Sequence, residues 1–167
     1  MPEKETLARA KKDEKEGKAP STQAGEFVRE EMDHIREGKH GARSTKQAIA
    51  IGLSKARRAG VELPPPKKGK VSKKTSTQAA RDSAQGQSDP GRKASPKRSR
   101  ATVNALRREG RQAASPKALS EQATSSARRR TVASRSRSAK QAVRTKGPAG
   151  LKREAQNAAR TRAARKD

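Results

Sequence analysis

Cysteine, tryptophan and tyrosine are absent from the 167 residues, and phenylalanine occurs once, as Phe27. Without cysteine there is no disulfide and no thiolate metal site. Without tyrosine or tryptophan the chain lacks the ring platforms on which single-stranded bases stack. No apolar run approaches the roughly 18 residues needed to cross a bilayer. Met1 to Leu7 also lacks the apolar stretch of a secretion signal, so the expected location is the cytoplasm. Nucleophile motifs, phosphate loops and dinucleotide fingerprints are missing too, which argues against an enzyme and against a cofactor.

What is present is charge. Lys and Arg number 43 against 17 Asp and Glu, a net +26, while hydrophobic residues make up 28% and many of those are alanine. Low hydrophobicity with high net charge characterises chains that bury too little surface to offset their ordering entropy. The expected fold class is therefore a mostly disordered chain with a small all-α helical hairpin at about 22–59, and a tail of transient or binding-induced helices.

The charge is unevenly distributed, and the boundary falls at Pro64, Pro65 and Pro66. Up to Pro66 there are 14 Lys and Arg against 11 Asp and Glu, a net +3; beyond it the counts are 29 and 6, a net +23. The expected organisation is a charged arm (1–20), a helical hairpin module (21–63), and a proline spacer with a basic, disordered tail (64–167). In the arm only Leu7 and a few alanines are apolar, which predicts transient helix at most.

The hairpin is read from periodicity. Val28, Met32 and Ile35 recur at i, i+4, i+7 with Phe27 beside them, and Ile49, Leu53 and Ala56 repeat the spacing. Ser21 or Thr22 can cap the first helix, and Gly38 ends it. Ser44 and Gln47 have the spacing of a capping box, and Gly60 follows Arg57 and Arg58 where a left-handed C-cap belongs. These apolar residues are too few to hold an isolated hairpin, so the same face is expected to serve a homodimer or a protein partner.

The tail reads as a polycation. Its basic residues come in clusters separated by small ones: Lys67, Lys68 and Lys70; Lys73 and Lys74; Arg92 and Lys93; Lys97, Arg98 and Arg100; Arg107, Arg108 and Arg111. Further along come Arg128, Arg129 and Arg130, then Arg135, Arg137, Lys140 and Arg144, and finally Lys152, Arg153, Arg160, Arg162 and Arg165. Such spacing matches a phosphate backbone in many registers, and the tail's +23 would neutralise about 40 Å of duplex, roughly 12 base pairs. Extended at ~3.3 Å per residue, the tail would span about 330 Å, enough to bridge DNA segments. An approximate repeat, Ala94-Ser95-Pro96-Lys97 and Ala114-Ser115-Pro116-Lys117, offers two helix starts with proline at the first position.

In composition this tail resembles those of linker histones and of lysine- and alanine-rich bacterial histone-like proteins. Ser95-Pro96-Lys97-Arg98 resembles their Ser-Pro-basic-basic element, which implies minor-groove contact; Ser115-Pro116-Lys117-Ala118 departs from it at the last position. Ser21 to Gly69, most distinctively KQAIAIGLSKARRAG from Lys46 to Gly60, resembles a family of small proteobacterial proteins of unknown function, some labelled DNA-binding or plasmid-stabilisation proteins. That resemblance implies a bacterial cytoplasmic protein and carries no catalytic residues.

Two clusters of polar side chains in the hairpin invite a sharper reading than their spacing supports. His34 and His40 lie six residues apart on different elements without an evident ligand set, so they are expected to be solvated or structural, with no metal. Glu30, Glu31, Asp33 and Glu37 are expected to form a solvated helix face. The functional expectation is sequence-nonspecific DNA binding, with nucleoid compaction, through the basic tail. RNA or ribosome association and a protein-interaction adaptor are the alternatives; the Arg-Ser-Arg-Ser run at Arg135 to Ser138 is the feature that favours RNA. An anionic membrane is disfavoured because the tail has no bulky apolar face to insert.

Overall fold

A computed structural model describes residues 2–66, 69–90, 92 and 95–164. Among them are seven α-helices and no strand: α1 (Lys4–Lys15), α2 (Pro20–Arg36), α3 (Thr45–Arg58), α4 (Lys73–Ser88), α5 (Pro96–Arg107), α6 (Pro116–Arg128) and α7 (Val132–Ala163), with a 3-10 turn at Gln112–Ala114 before α6. They group into two compact units, residues 1–122 and 123–167, the boundary falling within α6.

The expectation of a mostly disordered chain carrying one hairpin is overturned: the chain is folded and 75% helical. The hairpin exists as α2 and α3, and the cover that it needs comes from the chain itself. α1 packs on α2, α4 packs on α3, and the 3-10 turn packs on both. The composition misled because these contacts use small and polar residues. On α1 the buried stripe is Thr6, Ala10 and Asp13; on α4 it is Ala79, Asp82 and Gly86. Each has helical spacing without one large apolar side chain.

Small residues allow close approach. A methyl group on Gly52 of α3 would lie 2.7 Å from the Val28 Cα and 3.0 Å from the Phe27 carbonyl oxygen of α2, and one on Gly86 of α4 would lie 1.8 Å from the Arg57 carbonyl oxygen of α3. Backbone fills the space that a side chain would take at both crossings, so each buries apolar area with little side-chain volume.

Two apolar clusters result. One joins Met32, Ile35, Ala42 and Ala48 to Ala113 and Ala114, with Val28, Ile49 and Leu119 against it; the other joins Ala10, Ala24, Phe27 and Ala56, with Leu7, Leu53, Val61 and Leu63 against it. The Thr45 hydroxyl donates to the Ala113 carbonyl at 2.7 Å, Arg36 donates to the Ala114 carbonyl, and the amides of Gly41 and Ala42 donate to the carbonyls of Leu106 and Gly110. These bonds join residues more than 60 positions apart.

Several helix ends follow the sequence. Ser44 accepts from the Gln47 amide at 3.3 Å, while the Gln47 side chain reaches back to the Arg43 amide, one residue before its place in a capping box. Gly38 and Gly60 sit at positive φ, 77° and 96°. The start of α2 differs: Pro20 occupies the first turn behind Ala19, so Ser21 and Thr22 lie inside the helix and cap nothing. Arg57 is buried and donates to the carbonyls of Leu63 and Pro64, tying the start of the proline run to α3.

The expected 330 Å coil is likewise replaced by helices. α5 and α6 start at Pro96 and Pro116; Ser115 caps α6 by accepting from the Ala118 amide, whereas Ser95 makes no side-chain cap. In the second unit α7 is interrupted at Gly147, whose φ of 63° and ψ of 174° precede Pro148. Lys146 and Glu154 form an ion pair across the break.

Candidate functional site

The apolar stripe of α2 carries a carboxylate at its centre. Phe27, Glu31 and Ile35 recur every four residues, so the row that buries the aromatic ring must also bury Glu31. Glu31 is fully buried and Glu30 is 3% exposed. The expected solvated face is thus corrected for these two; Asp33 is half-buried and Glu37 exposed.

Buried carboxylates require counter-charge. Lys55 of α3 supplies it, with its Nζ 3.1 Å from Glu30 Oε1 and 2.7 Å from Glu31 Oε2. Burial works against the Lys55 ammonium, but the contact with Glu31 and the charges of Glu31 and Glu30 outweigh it and hold its pKa above the ordinary lysine value. Burial would likewise raise the Glu30 carboxyl; the Glu3 amide, the Thr6 hydroxyl and Lys55 outweigh that, and its pKa is lowered.

Glu31 is less completely served. Its Oε1 lies 3.2 Å from His40 Nε2, yet neither of its oxygens is aligned as a hydrogen-bond acceptor. His40, in the loop before α3, has its Nδ1 3.1 Å from the Gly41 carbonyl. His34, on α2, stands edge-on to it with ring centres 5.9 Å apart. The Nε2 of His34 meets Glu3 Oε1 at 2.8 Å, and Lys39 meets the same oxygen at 3.0 Å. His34 and Lys39 hold the Glu3 carboxyl down to about 2. One ligating atom from each of Glu31, His34 and His40 lies within 4.8 Å of the others. The reading of the histidines as separate and without a ligand set is therefore corrected: the turn after α2 folds His40 back onto its own helix.

The basic residues are arranged otherwise. Lys67, Lys68, Lys93 and Arg165 lie outside the described residues, and every other basic residue of the expected nucleic-acid-binding tail is exposed. On α5, Lys97, Arg100 and Arg107, with Arg108 just after, fall within about 100° of the helix circumference, opposite the buried Leu106. On α7, Arg137, Lys140 and Arg144 share a face at i, i+3, i+7. The second unit carries 14 Lys and Arg against 2 Asp and Glu in sequence, a net +12. Among its described residues Glu154 is the one acid.

The apolar face that sequence offers to a partner turns inward. Phe27, Met32, Ile35 and Ala56 are buried, and Val28, Ile49 and Leu53 pack against them as partly buried neighbours. No helix among the described residues is long and apolar enough to cross a membrane.

The chain is thus an all-helical protein with a small-residue core and exposed basic helices. Residues 21–68, which include all of α2 but its first residue and all of α3, match a family of unknown function, DUF6496. No curated protein and no solved structure matches the chain.

Proposed function

We propose that this protein binds nucleic acid, duplex DNA foremost, without reading its sequence, through preformed basic helices. The observation that carries the reading is the cationic faces of α5 and α7: exposed and on formed helices, with one acid among the described residues of the second unit. A helix that already exists loses less entropy on meeting phosphates than a coil does, so less of the electrostatic gain is spent on ordering. The absence of tyrosine and tryptophan disfavours single strands. Compaction of DNA, and a place at the nucleoid, belong to the same reading.

Gel-shift titration of the full-length protein over a salt series tests it. The logarithm of affinity should fall linearly with the logarithm of salt, with a slope of about −0.9 per phosphate contact. Arg137→Gln, Lys140→Gln and Arg144→Gln together should flatten that slope by about 2 to 3 units. A flat salt dependence, or unchanged binding after neutralising both α5 and α7, would sink the reading. RNA outcompeting duplex DNA would move it to the ribosome or another RNA.

A further inference from the structure

We propose that Glu31, His34 and His40 bind one divalent transition-metal ion of the zinc class. The chain has two histidines in 167 residues, and the fold places both near one buried carboxylate whose Oε2 is paired with Lys55 and whose Oε1 has no aligned hydrogen-bond donor.

His40 is the histidine in direct contact with Glu31. Its Nδ1 faces a carbonyl oxygen, which can only accept, so Nδ1 carries the proton. In the neutral ring Nε2 is then a bare lone pair, 3.2 Å from Glu31 Oε1. Lone pair facing carboxylate is repulsive unless a cation lies between them. The spacing suits one: a tetrahedral ion with bonds of about 2.0 to 2.1 Å to nitrogen and oxygen separates its ligand atoms by about 3.3 Å. Lys55 occupies Oε2 and leaves Oε1 for the ion.

His34 supplies the third ligand. Glu3 accepts from its Nε2, and a carboxylate on one ring nitrogen orients the imidazole and makes the other nitrogen a better donor to metal. One ligating atom of His34 lies within 4.8 Å of those of Glu31 and His40, so closing to the roughly 3.3 Å ligand spacing of a tetrahedral ion takes a shift of at most about 1.5 Å. His34 also lines a polar groove of about 190 Å³ between α1 and α2, with Glu3, Glu30 and Asp33 and the cations Arg9, Arg29 and Lys39. Two imidazoles and one carboxylate suit zinc, cobalt or nickel over magnesium or calcium, and they leave a fourth position for water.

Full-length protein freed of metal and titrated with Co²⁺ tests the proposal. The expected result is one site per chain, visible absorption of four-coordinate cobalt, and its displacement by Zn²⁺. His34→Gln and His40→Gln should each abolish that spectrum, and Glu3→Gln, which removes the orienting charge along with its pairing to Lys39, should weaken affinity on the order of 10- to 100-fold. If a histidine variant unfolds, proton NMR of the wild type decides, because two rings give two assignable signal sets. Zn²⁺ at one equivalent should shift both. A cobalt spectrum that stays that of the hexaaquo ion, or ring signals that do not move, would overturn the proposal and leave His40 as an imidazolium paired with Glu31.

Discussion

Gly52 carries more structural weight than its size implies. Substituting alanine in an exposed helix normally gains about 1 kcal/mol, because glycine is the poorer helix former. Here the new methyl would meet the α2 backbone at 2.7 Å, so the sign reverses. Gly52→Ala should destabilise by about 1 to 3 kcal/mol, read from the denaturant midpoint. Lys55 is the second sensitive residue. Lys55→Met leaves Glu30 and Glu31 buried without their ammonium and should cost about 3 to 5 kcal/mol. A chemical-denaturation curve unchanged from wild type would show that the carboxylates find other partners. Glu31 was misread as part of a solvated face, although its four-residue spacing from Phe27 and Ile35 places it inside the apolar stripe. Lys55 was not legible, because its place opposite α2 depends on the crossing that Gly52 permits.

At the level of helices, what the sequence conceals is the role of α1, α4 and the 106–114 segment. Periodicity finds α2 and α3 because Phe27, Met32, Ile35, Ile49 and Leu53 are large. It passes over stripes built from Thr6, Ala10 and Asp13, or from Ala79, Asp82 and Gly86, since those side chains read as neutral or polar. Ser44 and Gly60 announced the limits of α3, whereas nothing local announces that Thr45 will bond to Ala113. The consequence is measurable. A fragment ending at Pro66 keeps α1 to α3 but loses α4, Ala113 and Ala114 as cover, and should melt lower and less cooperatively than a fragment ending at Gln122. Circular dichroism melts of the two compare them directly, and equal midpoints would show that α4 and the 3-10 turn contribute little.

For the whole molecule the governing quantity is +26. Like charges repel within a compact chain, and salt screens that repulsion with a Debye length of about 10 Å at 0.1 M. The thermal midpoint should therefore rise between 10 and 200 mM salt, and a polyanion such as heparin should raise it further by binding the folded state. Differential scanning fluorimetry across the two series checks this; a midpoint that falls with salt would mean that the ion pairs around Glu3, Glu30 and Glu31 dominate over the net charge. The total charge and its gradient along the chain were plain in the sequence. That it would be displayed on formed helices was not, because helix formation depends on tertiary packing that composition does not record.

The break at Gly147 bears on how such a surface would let go of its ligand. Arg137, Lys140 and Arg144 precede it, and Lys152, Arg153 and Arg160 follow it, so α7 offers two short rods, each on the order of 22 to 24 Å long, where an unbroken helix would offer one of about 48 Å. Under the proposed function each rod is a separate foothold. When one lifts from the duplex the other keeps it nearby at a local concentration on the order of millimolar, so rebinding outpaces escape. Release then becomes a sequence of two partial steps, and competitor DNA in solution should accelerate it by seizing the rod that has lifted. A molecule built this way is handed from one strand to the next without ever being wholly free.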